Sequence, residues 1–318
     1  MLGCAAPGVR AGAVSGGLPP SQAILHTAQT VNAYWQATQG LGNSDWARAT
    51  YQTGNMAMYQ LTGVPALRDY SVSWGQANQW KIGRADRRHA DGHTCGQIYI
   101  DLYREDPQPV YIADVQSAID AMVDSTKVDD WWWIDAFYMA APTFARFGTL
   151  YNDPAYVEKA WALYQDMGWR RGLFDAEAGL WYRDDRFIYP KITSPNGTKV
   201  FWSRGNGWVF AGLTRVLDEL PADHPRRAGF ESMFKTMAAA LLPLQGEDGF
   251  WRSNLADPLH YPGPETSGTA FFLCGYAWGI RQGLLDDATY RPAAGVERTD
   301  ADRHGWQRPC RLYSGRRL

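Results

Sequence analysis

Cysteine is scarce in this chain: four in 318 residues, at Cys4, Cys95, Cys274 and Cys310. No two form a Cys-x-x-Cys pair and no paired histidines accompany them, which excludes a zinc module and a disulfide scaffold. Cys95 and Cys274 lie in apolar helical contexts and read as small buried residues. Excess charge is lacking too. Lys plus Arg number 31 against 33 Asp plus Glu, a formal net charge of −2, so there is no basic footprint for nucleic acid and no polybasic block for a membrane surface. No apolar run approaches the roughly 20 residues needed to span a bilayer. With 45% hydrophobic and 20% charged residues, the composition is that of a globular protein and excludes global disorder.

Aromatic side chains are abundant: 15 Trp, 17 Tyr and 12 Phe, 14% of the chain. Such rings fill cores, and they also supply flat apolar faces on which sugar rings stack. Composition therefore leans toward a carbohydrate ligand.

Helical periodicity dominates, with apolar residues at i, i+3, i+4 and i+7 near 21–38, 46–62, 66–80, 91–104, 111–124, 131–148, 153–170, 204–219, 226–244, 266–283 and 287–298. Strands are expected only between Gly179 and Val200, where Trp181-Tyr182-Arg183 and Lys199-Val200-Phe201 flank the turn signal Pro195-Asn196-Gly197. Taken alternately, five helices begin with small or polar residues and continue as apolar, aromatic helices, near Gly54, Asp91, Trp131, Arg204 and Thr266. Buried inner helices alternating with more polar outer ones suit a closed α/α toroid whose inner helix starts converge on one rim.

Three units are expected along the chain. Residues 1–20 read as a disordered leader or the remnant of a bacterial lipoprotein signal ending at Cys4, which leaves cytoplasm and periplasm both open. Residues 21–298 form the α/α barrel. Residues 299–318 are Arg-rich and Pro-broken, an atypical tail without an apolar stripe, so five hairpins and one further outer helix are counted where six hairpins would close the toroid. Exposed apolar flanks on the first and fifth hairpins are the expected consequence.

Four segments carry candidate chemistry. In Trp131-Trp132-Trp133-Ile134-Asp135-Ala136-Phe137-Tyr138, an acid sits among apolar neighbours at a helix start. Desolvation would raise its pKa toward that of a general acid; the plain alternative is a capping aspartate. Arg88-His89-Ala90-Asp91-Gly92-His93 offers a second acid, again either functional or an N-cap. Its His89, Asp91 and His93 have strand-like spacing with no further ligand cluster, and no metal is assigned. Arg204-Gly205-Asn206-Gly207-Trp208 opens a helix with two glycines and places Arg204 and Trp208 on one face, either a packing pair or a carboxylate clamp beside a stacking ring. Glu265-Thr266-Ser267-Gly268 suits a helix cap or hydrogen bonds to a ligand. Asp175, Asp184 and Asp185 read as solvated loop acids. No Gly-x-Ser-x-Gly, P-loop or dinucleotide fingerprint is present.

Together, Asp91-Gly92-His93-Thr94-Cys95-Gly96-Gln97, Trp133-Ile134-Asp135-Ala136-Phe137-Tyr138-Met139-Ala140, Trp202-Ser203-Arg204-Gly205-Asn206-Gly207-Trp208 and Glu265-Thr266-Ser267-Gly268 resemble glycoside hydrolase family 105. These are the unsaturated rhamnogalacturonyl hydrolases, relatives of the family 88 unsaturated glucuronyl hydrolases. The resemblance covers residues 22–296 and implies an all-α (α/α)6 barrel. It also implies removal of a 4,5-unsaturated uronic acid, galacturonyl in pectin fragments, from the non-reducing end of lyase-generated oligosaccharides. No cofactor or metal is implied; the one implied partner is the unsaturated oligosaccharide, with the oligomeric state left unread.

By that resemblance Asp135 is the general acid/base and Asp91 the second active-site carboxylate. Arg204 and Trp208 bind substrate, with Trp133, His93, Thr266 and Ser267 around them. Two departures stand out. The family often has two adjacent acids where this chain has Asp91-Gly92, and some members have histidine in the loop where Trp181-Tyr182-Arg183 stands here, with Arg183 an added cation for the uronate or a neighbouring sugar. Two competing readings are an inactive or sugar-binding barrel and another α/α-barrel enzyme, such as a glycosidase acting on saturated sugars.

Overall fold

The computed structural model describes residues 21–294. The expectations for the leader, Cys4, Cys310 and the tail lie outside the described residues.

Helices α1 (Ser21–Gln39), α2 (Trp46–Thr62), α3 (Pro65–Ala77), α4 (Ala90–His93), α5 (Cys95–Glu105), α6 (Ala113–Val123), α7 (Ala136–Tyr151), α8 (Pro154–Gln165), α9 (Ser203–Glu219), α10 (Arg227–Leu241), α11 (Thr266–Arg281) and α12 (Asp287–Ala294) follow one another along the chain. Local chemistry fixes several ends. The Asp45 carboxylate accepts from the Trp46 N–H to start α2, and Gly63 in the left-handed region ends it. Asp153 caps α8 with Pro154 in its first turn. Asn152, also left-handed, closes α7.

Burial separates two layers. Every residue of α7 from Ala136 to Gly148 is buried, as expected of a helix apolar all round, whereas α6 buries only the stripe Val115, Ala118, Ile119 and Met122. Helices α2, α5, α7, α9 and α11 pack in succession as the inner layer, five among the described residues. They face one another across a common axis. The Thr53 and Tyr138 hydroxyls lie 3.2 Å apart between α2 and α7, and Arg215 on α9 donates to Gln97 on α5 at 2.6 Å. This is the α/α barrel expected from the periodicity.

Three local expectations are corrected. Trp131–Asp135 is not helical: Trp133 bridges Asp184 as a single antiparallel pair and the Ile134 N–H donates to the Arg183 carbonyl at 3.0 Å, so tertiary pairing overrides the helical pattern. The hairpin joins β1 (Phe174–Asp175) to β2 (Leu180–Trp181) and does not flank Asn196-Gly197, because residues 199–201 are held instead by the Asn254 side chain. Cys95 is buried as expected, but Cys274 is exposed. It lies on the flank of α11 opposite the buried Gly275 and Tyr276. On the first hairpin Ile24, Val31, Tyr34 and Leu61 are exposed.

Candidate active site

The inner helices begin on one rim, and Asp135 stands at the start of α7. It occupies the N-cap position, yet its side chain makes no capping hydrogen bond. Its Oδ1 is buried and has no partner among the described residues. The capping alternative is therefore removed by geometry. Burial pushes the Asp135 pKa up to about 6, against the pull of the Arg183 and Arg204 guanidinium groups and with a further push from Asp91. A carboxylic acid that keeps its proton toward neutral pH can donate it.

Asp91 lies in α4, and its capping alternative is removed as well. The cap is His89, whose Nδ1 accepts from the Asp91 N–H at 3.3 Å. The Asp91 carboxylate receives the Arg84 guanidinium at 2.8 Å and has His89 Nδ1 at 3.7 Å. Burial raises its pKa above its ordinary value, opposed by His89 and Arg84 and reinforced by Asp45.

His93 does not join this group. Its ring is fully buried, its Nε2 is 2.7 Å from the Arg87 carbonyl oxygen, and it meets Phe144 edge-on. Burial lowers its pKa to about 4, so it is neutral. The expectation of a substrate contact is corrected: on this one-turn helix the ring points into the core. Trp133 is also mostly buried. It is 5% exposed and packs against His89 and Trp132, with ring centroids 4.8 and 4.5 Å away. Its neighbour Trp132 is 44% exposed and presents the open ring. Among the described residues no three His, Cys, Asp or Glu side chains gather as a metal shell.

Arg204-Gly205-Asn206-Gly207-Trp208 opens α9, and its side chains have different surroundings. Arg204 is exposed and sits within the electrostatic reach of Asp135. A Cβ at Gly205 would crowd Ile134 Cδ1 at 3.2 Å and would come into ordinary contact with Asp135 Oδ1 at 3.6 Å. Asn206 pins β2, accepting from the Trp181 N–H at 2.9 Å and donating to the Trp181 carbonyl at 3.0 Å. That fixes the segment leading to Arg183. Trp208, 4% exposed, lies against Tyr138 and Phe271 at 4.7 and 4.5 Å and edge-on to Trp46 at 6.3 Å. Trp46, its neighbour on α2, is 36% exposed.

Arg183 is held by Asp184, which also takes Arg186. Asp184 is fully buried, so its reading as a solvated acid is corrected; two guanidinium groups and the Arg186 N–H satisfy it. Asp175 is likewise paired, with Tyr182 and Lys199, while Asp185 is exposed. At α11 the capping alternative stands: Glu265 accepts from the Ser267 and Gly268 N–H groups and from the Ser267 hydroxyl, and Thr266 is exposed beside it. Sequence reasoning did not single out Arg84, His89, Trp46 or Trp132, which lie beside Asp91, Trp208 and Trp133. The triple tryptophan was a signal for Trp132, whereas nothing local pointed to Arg84.

The model of Glycosyl Hydrolase Family 88 matches residues 22–297. The chain belongs to that family. It is 33% identical over 285 residues to the unsaturated 3S-rhamnoglycuronyl hydrolase of Formosa agariphila, covering 81% of this chain and 74% of that protein. A solved structure described as glycosyl hydrolase family 88 from Bacteroides vulgatus is 35% identical, with a TM-score of 0.84 over 87% of this chain and 83% of that one. Another, named polysaccharide lyase BACCELL_00875, is 36% identical with a TM-score of 0.81, over 86% and 81% of the two chains. This family 88 member is thus an α/α-barrel glycoside hydrolase, in the pair of families that its motifs resemble.

Proposed function

We propose that this family 88 hydrolase removes a 4,5-unsaturated uronic acid from the non-reducing end of lyase-generated oligosaccharides by hydrating the vinyl ether. Asp135 delivers its proton to C4 of the C4=C5 bond. Positive charge develops at C5 and is shared with the ring oxygen. Asp135, now ionised, takes a proton from a water that adds to C5. The hemiketal opens to a C5 ketone, and the hemiacetal left at C1 releases the aglycone. The observation that carries this reading is the Asp135 carboxyl, which stands at a helix start without capping it and has Oδ1 buried and unpartnered.

Asp91 receives the sugar hydroxyls and keeps a negative charge near Asp135. Arg204, which has no ion-pair partner among the described residues, takes the uronate carboxylate. Arg183, braced on Asp184, faces the neighbouring sugar. The name of the F. agariphila relative supports a rhamnose as that neighbour, and we extend it to this chain as the substrate class, without choosing between galacturonyl and glucuronyl.

The test follows the ultraviolet absorbance of the conjugated uronate, using unsaturated uronyl-rhamnose disaccharides with and without a sulfate on the rhamnose. Wild type is expected to abolish the absorbance and Asp135→Asn to leave it. A rise in absorbance on a saturated polysaccharide, the signature of a lyase, would overturn the reading.

A further inference from the structure

Arg84 reaches two acids on different elements. Its Nε donates to Asp45, the cap of α2, at 3.0 Å, and its Nη2 donates to Asp91 at 2.8 Å. Its stem lies over Gly92: a Cβ there would stand 3.0 Å from Arg84 Cβ and 3.2 Å from Arg84 Cγ, tighter than ordinary van der Waals contact. The glycine that departs from the family's adjacent-acid pattern thus occupies the place where a side chain would crowd this arginine. A cation thus reaches Asp91 from the loop before α4.

We propose that Arg84 is a positioning residue for the hydrolysis: braced on Asp45, it holds Asp91 as the anion of the Asp91–Asp135 pair, so that the shared proton stays on Asp135. The inference rests on the reading of Asp135 as the proton donor. Asp91 is faced by Arg84 and His89 from the segment before α4, by Asp45 from the start of α2, and by Asp135 from the start of α7. Asp135 is faced in addition by Arg183 and Arg204.

Two carboxyls that sense each other give up their protons as a pair, and a cation bound to one of them decides where the remaining proton sits. With Arg84 in place, Asp91 ionises first, and its charge makes Asp135 hold its proton to higher pH. Without it the proton moves toward Asp91, where it cannot reach C4.

The test is the pH profile of kcat/KM on an unsaturated uronyl-rhamnose disaccharide. In Arg84→Met the acid limb, set by ionisation of Asp91, is expected to move up by about one pH unit. The rate at a pH on that limb should fall about tenfold, mainly in kcat. Arg84→Lys should return the limb to its wild-type position. Arg84→Gln, which keeps the stem and a donor, gives a second reading of the limb if the methionine variant fails to fold. A profile in the neutral variants that superimposes on wild type, even at lower activity, would overturn the proposal and leave Arg84 a structural ion pair. Asp135→Asn separates the two levels of the argument. If that variant stays active the donor assignment falls; if it is inactive and the limb still does not move, only the role of Arg84 falls.

Discussion

At the C-terminal ends of α5, α7 and α9, Arg146 lies 3.1 Å from Asp101 and 3.4 Å from Glu219, and Arg104 closes on Glu219 at 2.8 Å. At the opposite rim, Asp135 Oδ1 has no partner and Arg204 is exposed. The same inner helices thus neutralise charge at one end and withhold neutralisation at the other. The difference shows in the carboxyls. Glu219 is held below its ordinary pKa: burial alone would raise it, but the surrounding arginines outweigh that. Asp135, about as deeply enclosed, is pushed up to about 6 because its two arginines stand off without bonding to it. Burial with partners makes a strut, and burial without them makes an acid.

The largest effect that would break this comparison is on turnover. Asp135→Asn should lower kcat by about a thousandfold or more, within the range for loss of a general acid. A drop of less than tenfold would place the proton donor elsewhere.

The other end should respond in stability. Arg146→Met leaves Asp101 and Glu219 only Arg104 as an ion-pair partner among the described residues, and removing one partner of a buried ion pair costs about 3–5 kcal/mol. Denaturant unfolding should record that loss, while kcat per folded molecule stays near wild type.

A third outcome reads the Asp135 end through pH. The folded-state pKa of Asp135 lies above its unfolded value, so ionising it in the fold is unfavourable. The penalty is absent below about pH 4, grows as pH rises toward about 6, and reaches about 3 kcal/mol at neutral pH by linkage. Asp135→Asn should therefore be more stable than wild type at pH 8 and equal to it at pH 4, as judged by unfolding at both values. A variant that is less stable at pH 8 would mean that the carboxylate is satisfied after all.

The smallest effect sharpens the geometry. Gly205→Ala inserts a methyl group 3.2 Å from Ile134 Cδ1 and 3.6 Å from Asp135 Oδ1. Alanine is the better helix former by about 1 kcal/mol, so Tm should hold or rise while kcat/KM falls about tenfold.

Much of this was legible in the sequence, for an identifiable reason. Inner and outer helices carry different apolar patterns, and that periodicity survives any tertiary detail. Asp135, Asp91 and Arg204 are expected as site residues because their motifs arrive in order with matching spacing. What stayed hidden depended on partners far along the chain. Trp131–Asp135 leaves the helix because Trp133 pairs with Asp184. Asp184 looks like a loop acid until Arg183 and Arg186 are seen to enclose it. His89 and His93 are equivalent in the sequence pattern, and only the packing of α4 on α7 sends one ring into the core and leaves the other beside Asp91. The glycine after Asp91 read as a missing acid; in three dimensions it makes room for Arg84.

The most direct test of the central claim is to run the reaction in D2O and locate the label by NMR. Protonation of C4 by Asp135, which exchanges with solvent, predicts that the released uronic acid carries one solvent deuterium at C4 and has lost its C4=C5 double bond. Release of a uronic acid that retains the double bond and carries no deuterium at C4 would mean direct attack at the anomeric carbon, and would contradict the account.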